Sequence, residues 1–481
     1  MGDSVRCKRG VARDPGASDL LMPLKPKTTT NATLPTGMHG RASRRTFCSG
    51  AAAVLLARDG MLRAASFAAQ VSAGPAATAT RPDVAAIDHD RILAAAQRYV
   101  TQPPTPLTSL PCPRSPGTPH DYYSEAEAAP VEAGSTAKAG ATVPAFTAHR
   151  DALFELGLQV PALAAAHLLT GDRKFAEHAV VQLRAWFVDP ATRMTPRLDY
   201  GYVSTGPSKE HITIQNNADL GAKVAQSAGG SFEGILETVP LVEIVQAVPF
   251  LAASGALTEA DLNALHAWFA AYLRWLTEPE DSGPRLAALA RDRKDHHGTS
   301  WLLQASAYSL FTGPDNGTPK SESKAMEELR HRFRAVTLRA QISADGKFPH
   351  ELTSATPYRD SLFNLDMIAA ICQLLTTRFD SVWEYQLEDG PGMRAAIAYH
   401  APFIAERVKW PFRADIAHFN ELPGRRASLL LAAHVYQRPE YAALWKTLPP
   451  DLAAPELMRT IPIHQPLLWV RQPPRAVEGA G

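Results

Sequence analysis

The stretch KDHHGTSWLLQASAYSLFTG, Lys294 to Gly313, sets two adjacent histidines and an aspartate just ahead of a long apolar-faced run. Thr299 and Ser300 are helix-capping types and Gly298 frees the backbone before them, so the reading is a helix that starts at Trp301. His296 and His297 then stand at a helix N-terminus, where unpaired N–H groups favour anions and lower a histidine pKa. A neutral imidazole so placed is a usable general base near neutral pH. The bland alternative is one packed ring and one solvated ring. A metal reading with Asp295 is weaker, because adjacent side chains rarely converge on one ion and no second cluster has ligand spacing. Neither a metal nor an organic cofactor is expected. FPHEL, with His350 and Glu351, contributes only if the fold brings it close.

The elements that must position these residues read as helices from Asp88 onward. DALFELGLQVPALAAAHLLTGDRKFAEHAVVQLRAWFVDP places Leu153, Leu156, Gly157, Val160, Leu163, Ala164 and His167 on one helical face. It turns at TGD and resumes with Phe175, Ala179, Leu183 and Trp186 on a second helix. An antiparallel helical hairpin follows from that pattern, with Pro161 expected to bend its first member. LLAAHVYQRPEYAALWKTL repeats the unit, with His434 where His167 stands. LTEADLNALHAWFAAYLRWL opens on a Thr258–Asp261 capping pair, and the helical spacing of Trp268, Tyr272 and Trp275 marks them as core before sugar-stacking residues. Hairpins that each need a neighbour to cover an apolar face stack or close into a ring. Their degenerate, uneven spacing points to an all-α fold, an (α/α) toroid or incomplete α/α barrel of antiparallel hairpins. Two helix-poor stretches, 111–146 and 194–234, have the length of lids or binding loops.

Composition bounds the reading. A chain of 481 residues with 45% hydrophobic content can bury a sizeable core. Its 49 Lys and Arg balance 48 Asp and Glu, so nothing global selects nucleic acid or an anionic membrane as partner. Beyond the leader no run of roughly 18 uninterrupted apolar residues offers a membrane span. Cys112 and Cys372 are the cysteines of the body, and one disulfide is possible in an oxidising compartment. HGRASRRTFCSGAAAVLLA, with Arg44, Arg45 and Phe47 before a small-residue apolar run, resembles a bacterial twin-arginine export signal with a cleavage site after Ala73. Arg58, Asp59 and Arg63 interrupt that run. The expected organisation is a leader and linker over 1–85, a helical domain over 86–465 and a tail over 466–481, in a protein that is periplasmic or secreted.

Seven segments, PHDYYSEAE, TGDRKFAEHAVVQLRAWFVDPATRMTPRLDYGYVSTG, GILET, WFAAYLRWL, KDHHGTSW, DGKFPHEL and SLFNLDMIAAICQLL, together resemble the alginate lyase superfamily of α/α-toroid polysaccharide lyases. The likeness runs from about Pro119 to Phe412. It implies cleavage of a uronic acid polysaccharide by β-elimination, which needs a donor facing the uronate carboxylate, a base for the neighbouring proton and an acid for the departing oxygen. Carried over, the resemblance makes His297 the catalytic histidine, puts His296 where the family has a carboxylate-neutralising asparagine, and puts Asp295 at the asparagine before it. Ser354 and Asp360 fall where an arginine and a tyrosine are expected, with Tyr358 and Arg359 beside them as substitutes. Asp360 alternatively orients His297 or acts as a base with a raised pKa. Tyr122 and Tyr123 match a segment near the substrate, and Tyr202 replaces a glutamine of that region. Arg197 replaces an asparagine and suits a carboxylate or sulfate.

The catalytic candidates are therefore His297, His296, Tyr358 and Asp360. The substrate-binding candidates are Asp295, Arg359, Arg197, Tyr202, Tyr122 and Tyr123, and the expected partner is an acidic polysaccharide. Two other functions stay open on these residues: a binding protein that has lost catalysis, and a toroid glycosidase using Asp295, Glu351 and Asp360 as paired carboxylates.

Overall fold

The chain enters through α1 (His89–Tyr99) and the long α2 (Ala148–Thr170), which continues through Pro161. Gly171 ends α2 in the left-handed conformation, φ 71°, and the Asp172 carboxylate caps α3 (Arg173–Leu183), which folds back on α2. The TGD turn thus makes the hairpin that the periodicity implies. The computed structural model describes residues 82–126, 144–204, 229–278, 286–313, 320–388 and 390–473. The export signal expected at 44–73 lies outside the described residues.

Further helices are α4 (Leu241–Ala253), α5 (Glu259–Thr277), α6 (Leu286–Arg291), α7 (His296–Thr312), α8 (Lys324–Arg332), α9 (Pro357–Leu375), α10 (Met393–Ala405), α11 (Ala427–Val435), α12 (Pro439–Thr447) and α13 (Leu467–Val470). Helices α2, α4, α7, α9 and α11 touch in that order, while α1 and α3 flank α2, α5 and α8 flank α7, α10 flanks α9, and α12 flanks α11. The composition explains the two rows. Nearly every residue of α9 and most of α7 is buried, as an apolar helix covered on several sides must be, whereas α8, KAMEELRHR, keeps a charged face. Two short strands, β1 (Tyr123–Glu125) and β2 (Tyr200–Val203), pair in parallel. The fold is an all-α (α/α) toroid of antiparallel hairpins.

The C-terminal chain closes the ring. His464 and Gln465 donate their backbone N–H groups to the two oxygens of Glu243 in α4, at 2.7 and 2.9 Å, and the Trp469 indole donates at 3.3 Å. Arg459 pairs with Asp151 of α2 at 2.5 Å, and Arg425 pairs with Asp88 beside α1 at the same distance. Leu467, Leu468 and Trp469 are buried, so the boundary set at 465 is too early: residues 466–473 are body, not tail. Val84 is likewise buried, which extends the body ahead of residue 86.

Two further expectations change. Ala148–Thr170 and Phe232–Ala253 are long and apolar enough to cross a bilayer by length and composition, but most of each is buried inside the ring, where a core helix needs the same character. Cys112 and Cys372 are both free thiols, the second deep in α9, so the possible disulfide is not formed.

Candidate active site

Helix α7 begins five residues earlier than its sequence suggests. Asp295, not Thr299 or Ser300, is its N-cap: the carboxylate accepts from the His297 backbone N–H at 3.1 Å, while Thr299 and Ser300 are fully buried inside the helix. Gly298 is required by a close approach: a Cβ there would lie 2.2 Å from the Arg293 carbonyl oxygen. The turn between α6 and α7 is packed that tightly, and it carries both histidines on the first helical turn. The Thr299 hydroxyl donates to the Gln341 side chain at 2.8 Å, and the same amide donates to the Asp295 carbonyl at 3.2 Å. Asn364 of α9 donates to Gln341 at 2.8 Å, so three elements lock the turn from below.

Each histidine holds its own carboxylate. The Nδ1 of His297 lies 3.0 Å from Asp295 Oδ1, and Asp295 also receives Arg293 at 2.5 Å. His296 takes both oxygens of Glu351, its backbone N–H on one and its Nδ1 on the other, each at 2.7 Å. The two rings lie 4.3 Å apart with planes 31° from parallel, and Phe232 meets His297 edge-on at 5.1 Å. Both rings keep a surface edge, 13% of the His296 side chain and 12% of that of His297. With each Nδ1 against a carboxylate oxygen, Nε2 is the nitrogen left to each ring for a ligand.

The two adjacent imidazoles move in opposite directions. Burial, helped by the charge on His296, pulls His297 down to about 4, so it is neutral at ordinary pH. Burial also works against a charge on His296, but Glu351, then Asp360 and Asp295, outweigh it and lift that ring to about 9. A helix N-terminus lowering both rings is therefore not what the structure shows, because Glu351 dominates at His296. Glu351 is itself pushed up by burial against the pull of His296, so one proton is held firmly by the pair as a unit. Burial would raise Asp295, but His297 and Arg293 hold it well below the usual carboxylate range.

Asp360 joins this corner on the His296 side. A ring nitrogen of His296 and carboxylate oxygens of Glu351 and Asp360 all lie within 4.8 Å of one another. Asp360 accepts from the Thr356 hydroxyl at 2.8 Å and from Arg359 Nε at 3.2 Å. The orienting carboxylate of His297 is thus Asp295, which corrects the expectation that Asp360 fills that role. Ligand-type atoms do converge here, through pairing across the fold and not through adjacency.

Several candidates fall away from the surface. Tyr358 is fully buried, its hydroxyl donating to the Phe403 carbonyl at 2.9 Å and its ring wedged between Trp410 and Phe419, so it cannot meet a substrate. Tyr122 and Tyr123 are also buried, donating to Glu237 at 3.2 Å and Glu125 at 2.6 Å, and serve packing instead of binding. Trp268 and Trp275 are core, as their spacing suggests, and their indoles hold the loop after α3 through the Met194 carbonyl and Asp199. Arg197 is half exposed, with Asp121 and Asp199 both at 3.3 Å. Arg359 is held by Asp360 and Thr356. Tyr202 is half-buried with φ 56°, a conformation that costs an aromatic residue about 1–3 kcal/mol. Its strand packs on Phe232–Thr238, the segment that brings Phe232 to His297.

The local sequence concealed other contributors. Arg293 looks like one charge in an exposed basic run, yet it pairs with Asp295 and lies 4.9 Å over Phe232. Arg413 is exposed and donates to the carbonyl of Ser354, the residue that stands where the resemblance expects an arginine. No spacing signal links positions 354 and 413.

A helical ring that presents a neutral, carboxylate-oriented imidazole beside a second imidazole is built for acid–base chemistry at its surface. Residues 108–410 match the family profile described as alginate lyase, and the chain belongs to that family. Membership implies a polysaccharide lyase and an acidic polysaccharide as substrate. Among solved structures, an alginate lyase from Bacteroides ovatus matches with a TM-score of 0.61 and 23% identity, over 80% of this chain and 94% of that one, a likeness of fold. Alginate lyase A1-III from Sphingomonas species A1 aligns over 79% of this chain and 95% of its own, at 11% identity and a TM-score of 0.40. No curated protein sequence matches.

Proposed function

We propose that this chain cleaves a uronic-acid-containing polysaccharide by β-elimination, with His297 as general base. The observation that carries the reading is a neutral imidazole whose Nδ1 is held by Asp295, leaving Nε2 to take a proton. Nε2 removes the proton from the carbon bearing the uronate carboxylate. The electrons of that C–H bond form the new carbon–carbon double bond, and the adjacent carbon–oxygen bond breaks with its pair going to the glycosidic oxygen. His297 returns its proton to that oxygen, a double duty that suits a site whose expected tyrosine position holds Asp360. Tyr202 and Arg413 bind neighbouring sugars, one beside the Phe232 segment and the other beside Ser354.

The test is direct: purified protein is offered alginate, pectate, glucuronan and glycosaminoglycans, and the ultraviolet absorbance of an unsaturated uronate is followed. Absence of that absorbance on every polymer overturns the proposal. The glycosidase reading finds less support, because Asp295, Glu351 and Asp360 are all buried and each is already held by a basic or hydroxyl partner. A binding protein without catalysis is favoured by one observation, the serine and aspartate at positions 354 and 360. Polymer binding that survives His297→Ala, without turnover in either form, selects it. We also propose export through the leader, on the strength of Arg44 and Arg45; a reporter fused after residue 81 reaching the periplasm only with both arginines intact tests that.

A further inference from the structure

Three carboxylates surround the two histidines, and their partners can be counted off. Asp295 has Arg293, and Asp360 has Arg359. Glu351 has no guanidinium or ammonium partner among the described residues; its two oxygens go to the backbone N–H and Nδ1 of His296. A carboxylate this deeply buried keeps its charge only beside a positive partner, and among the described residues the group bonded to it that can carry one is the His296 ring.

We propose that His296 is a resident imidazolium, positioned by Glu351, whose Nε2–H meets the uronate carboxylate while the neighbouring His297 takes the proton from the same carbon. The proposal rests on the lyase reading above. Base and charge-neutralising donor act on two substituents of one atom, and two rings 4.3 Å apart deliver one nitrogen to each. A charge-assisted donor then replaces a neutral one, which strengthens as negative charge builds on the carboxylate in the transition state. The groups facing His296 are Glu351 from the turn before α9, Asp360 with its Arg359 from α9, Asp295 with its Arg293 from the cap of α7, and His297 itself; Phe363 closes the apolar side at 5.9 Å.

The pH dependence of kcat/KM is the reporter. In the wild type, activity falls on the alkaline side near pH 9 as the imidazolium loses its proton. In His296→Asn, which leaves a neutral donor, kcat/KM drops by about tenfold but the alkaline limb near pH 9 disappears, since the imidazolium is gone. Glu351→Gln, which removes the positioning charge, moves the limb to lower pH by about one unit or more. An unchanged limb in His296→Asn overturns the proposal. So does activity lost to a chelator and restored by zinc or manganese, which would make His296, Glu351 and Asp360 ligands of a metal. Imidazole NMR separates this proposal from the lyase reading: His296 titrating near 9 supports a resident imidazolium even if no polymer is cleaved, and titration below 7 overturns it even if one is.

Discussion

Two regions of this molecule are built around a buried glutamate, and they differ in what faces the surface. At the ring closure, Glu243 takes two backbone N–H groups and an indole from 464–469, burial pushes its carboxyl up to about 7, and every contact ends inside the protein. At the first turn of α7, Glu351 takes a backbone N–H and an imidazole, and that imidazole keeps one nitrogen and a surface edge. A buried, perturbed carboxylate is therefore no signature of function by itself. What separates the two is an uncommitted ring nitrogen on a partner that keeps a surface edge.

Breaking the reactive side should give the largest effect. His297→Ala is expected to lower turnover by about 10²–10⁴-fold with little change in unfolding midpoint, measured by product absorbance and denaturant titration. Asp295→Asn sharpens the same side: asparagine caps a helix as well as aspartate, so stability should largely hold. Loss of the charge that orients His297 should lower kcat by about 10²-fold or more. Retained kcat in that variant would remove Asp295 from the mechanism.

On the structural side, Glu243→Ala strands three donors and should cost about 3–5 kcal/mol in denaturant unfolding, while the folded fraction keeps its kcat. The smallest effect belongs to Arg413→Ala, expected to raise KM by about threefold to tenfold without changing kcat. An equal fall in kcat would place Arg413 nearer the reacting bond.

The two histidines also set opposite pH slopes on stability. His297 has a folded value of about 4, below the ordinary 6.5, so the unfolded chain binds more protons between those values and stability falls as pH drops through that window. His296, at about 9, contributes fully below 6.5 and loses its contribution as pH rises toward 9. Together they favour a maximum near pH 6.5. In His297→Ala the acid slope should flatten while the alkaline slope remains, as chemical unfolding across pH will show.

The hairpins were legible in the chain because they depend on near neighbours. TGD makes a left-handed turn and a cap, and Thr258 and Asp261 form a reciprocal capping box. His297 at a helix start was legible for the same reason, although the start itself lies at Asp295, where the tight Gly298 turn lets an aspartate cap earlier than the threonine and serine that look the part.

Only packing decided the rest. Glu351 sits 55 residues from His296, and Ser354 sits 59 from Arg413. Tyr358 and Arg359 are neighbours in the chain, but one turns into the core and the other toward Asp360. Side chains one residue apart on a helix diverge by about 100°, so which of them faces the histidines depends on how α9 lies against α7. Local spacing settles which residues form a turn of helix and puts Asp295 on His297; the charge that His296 carries depends on Glu351, which a distant segment brings within 3 Å of it.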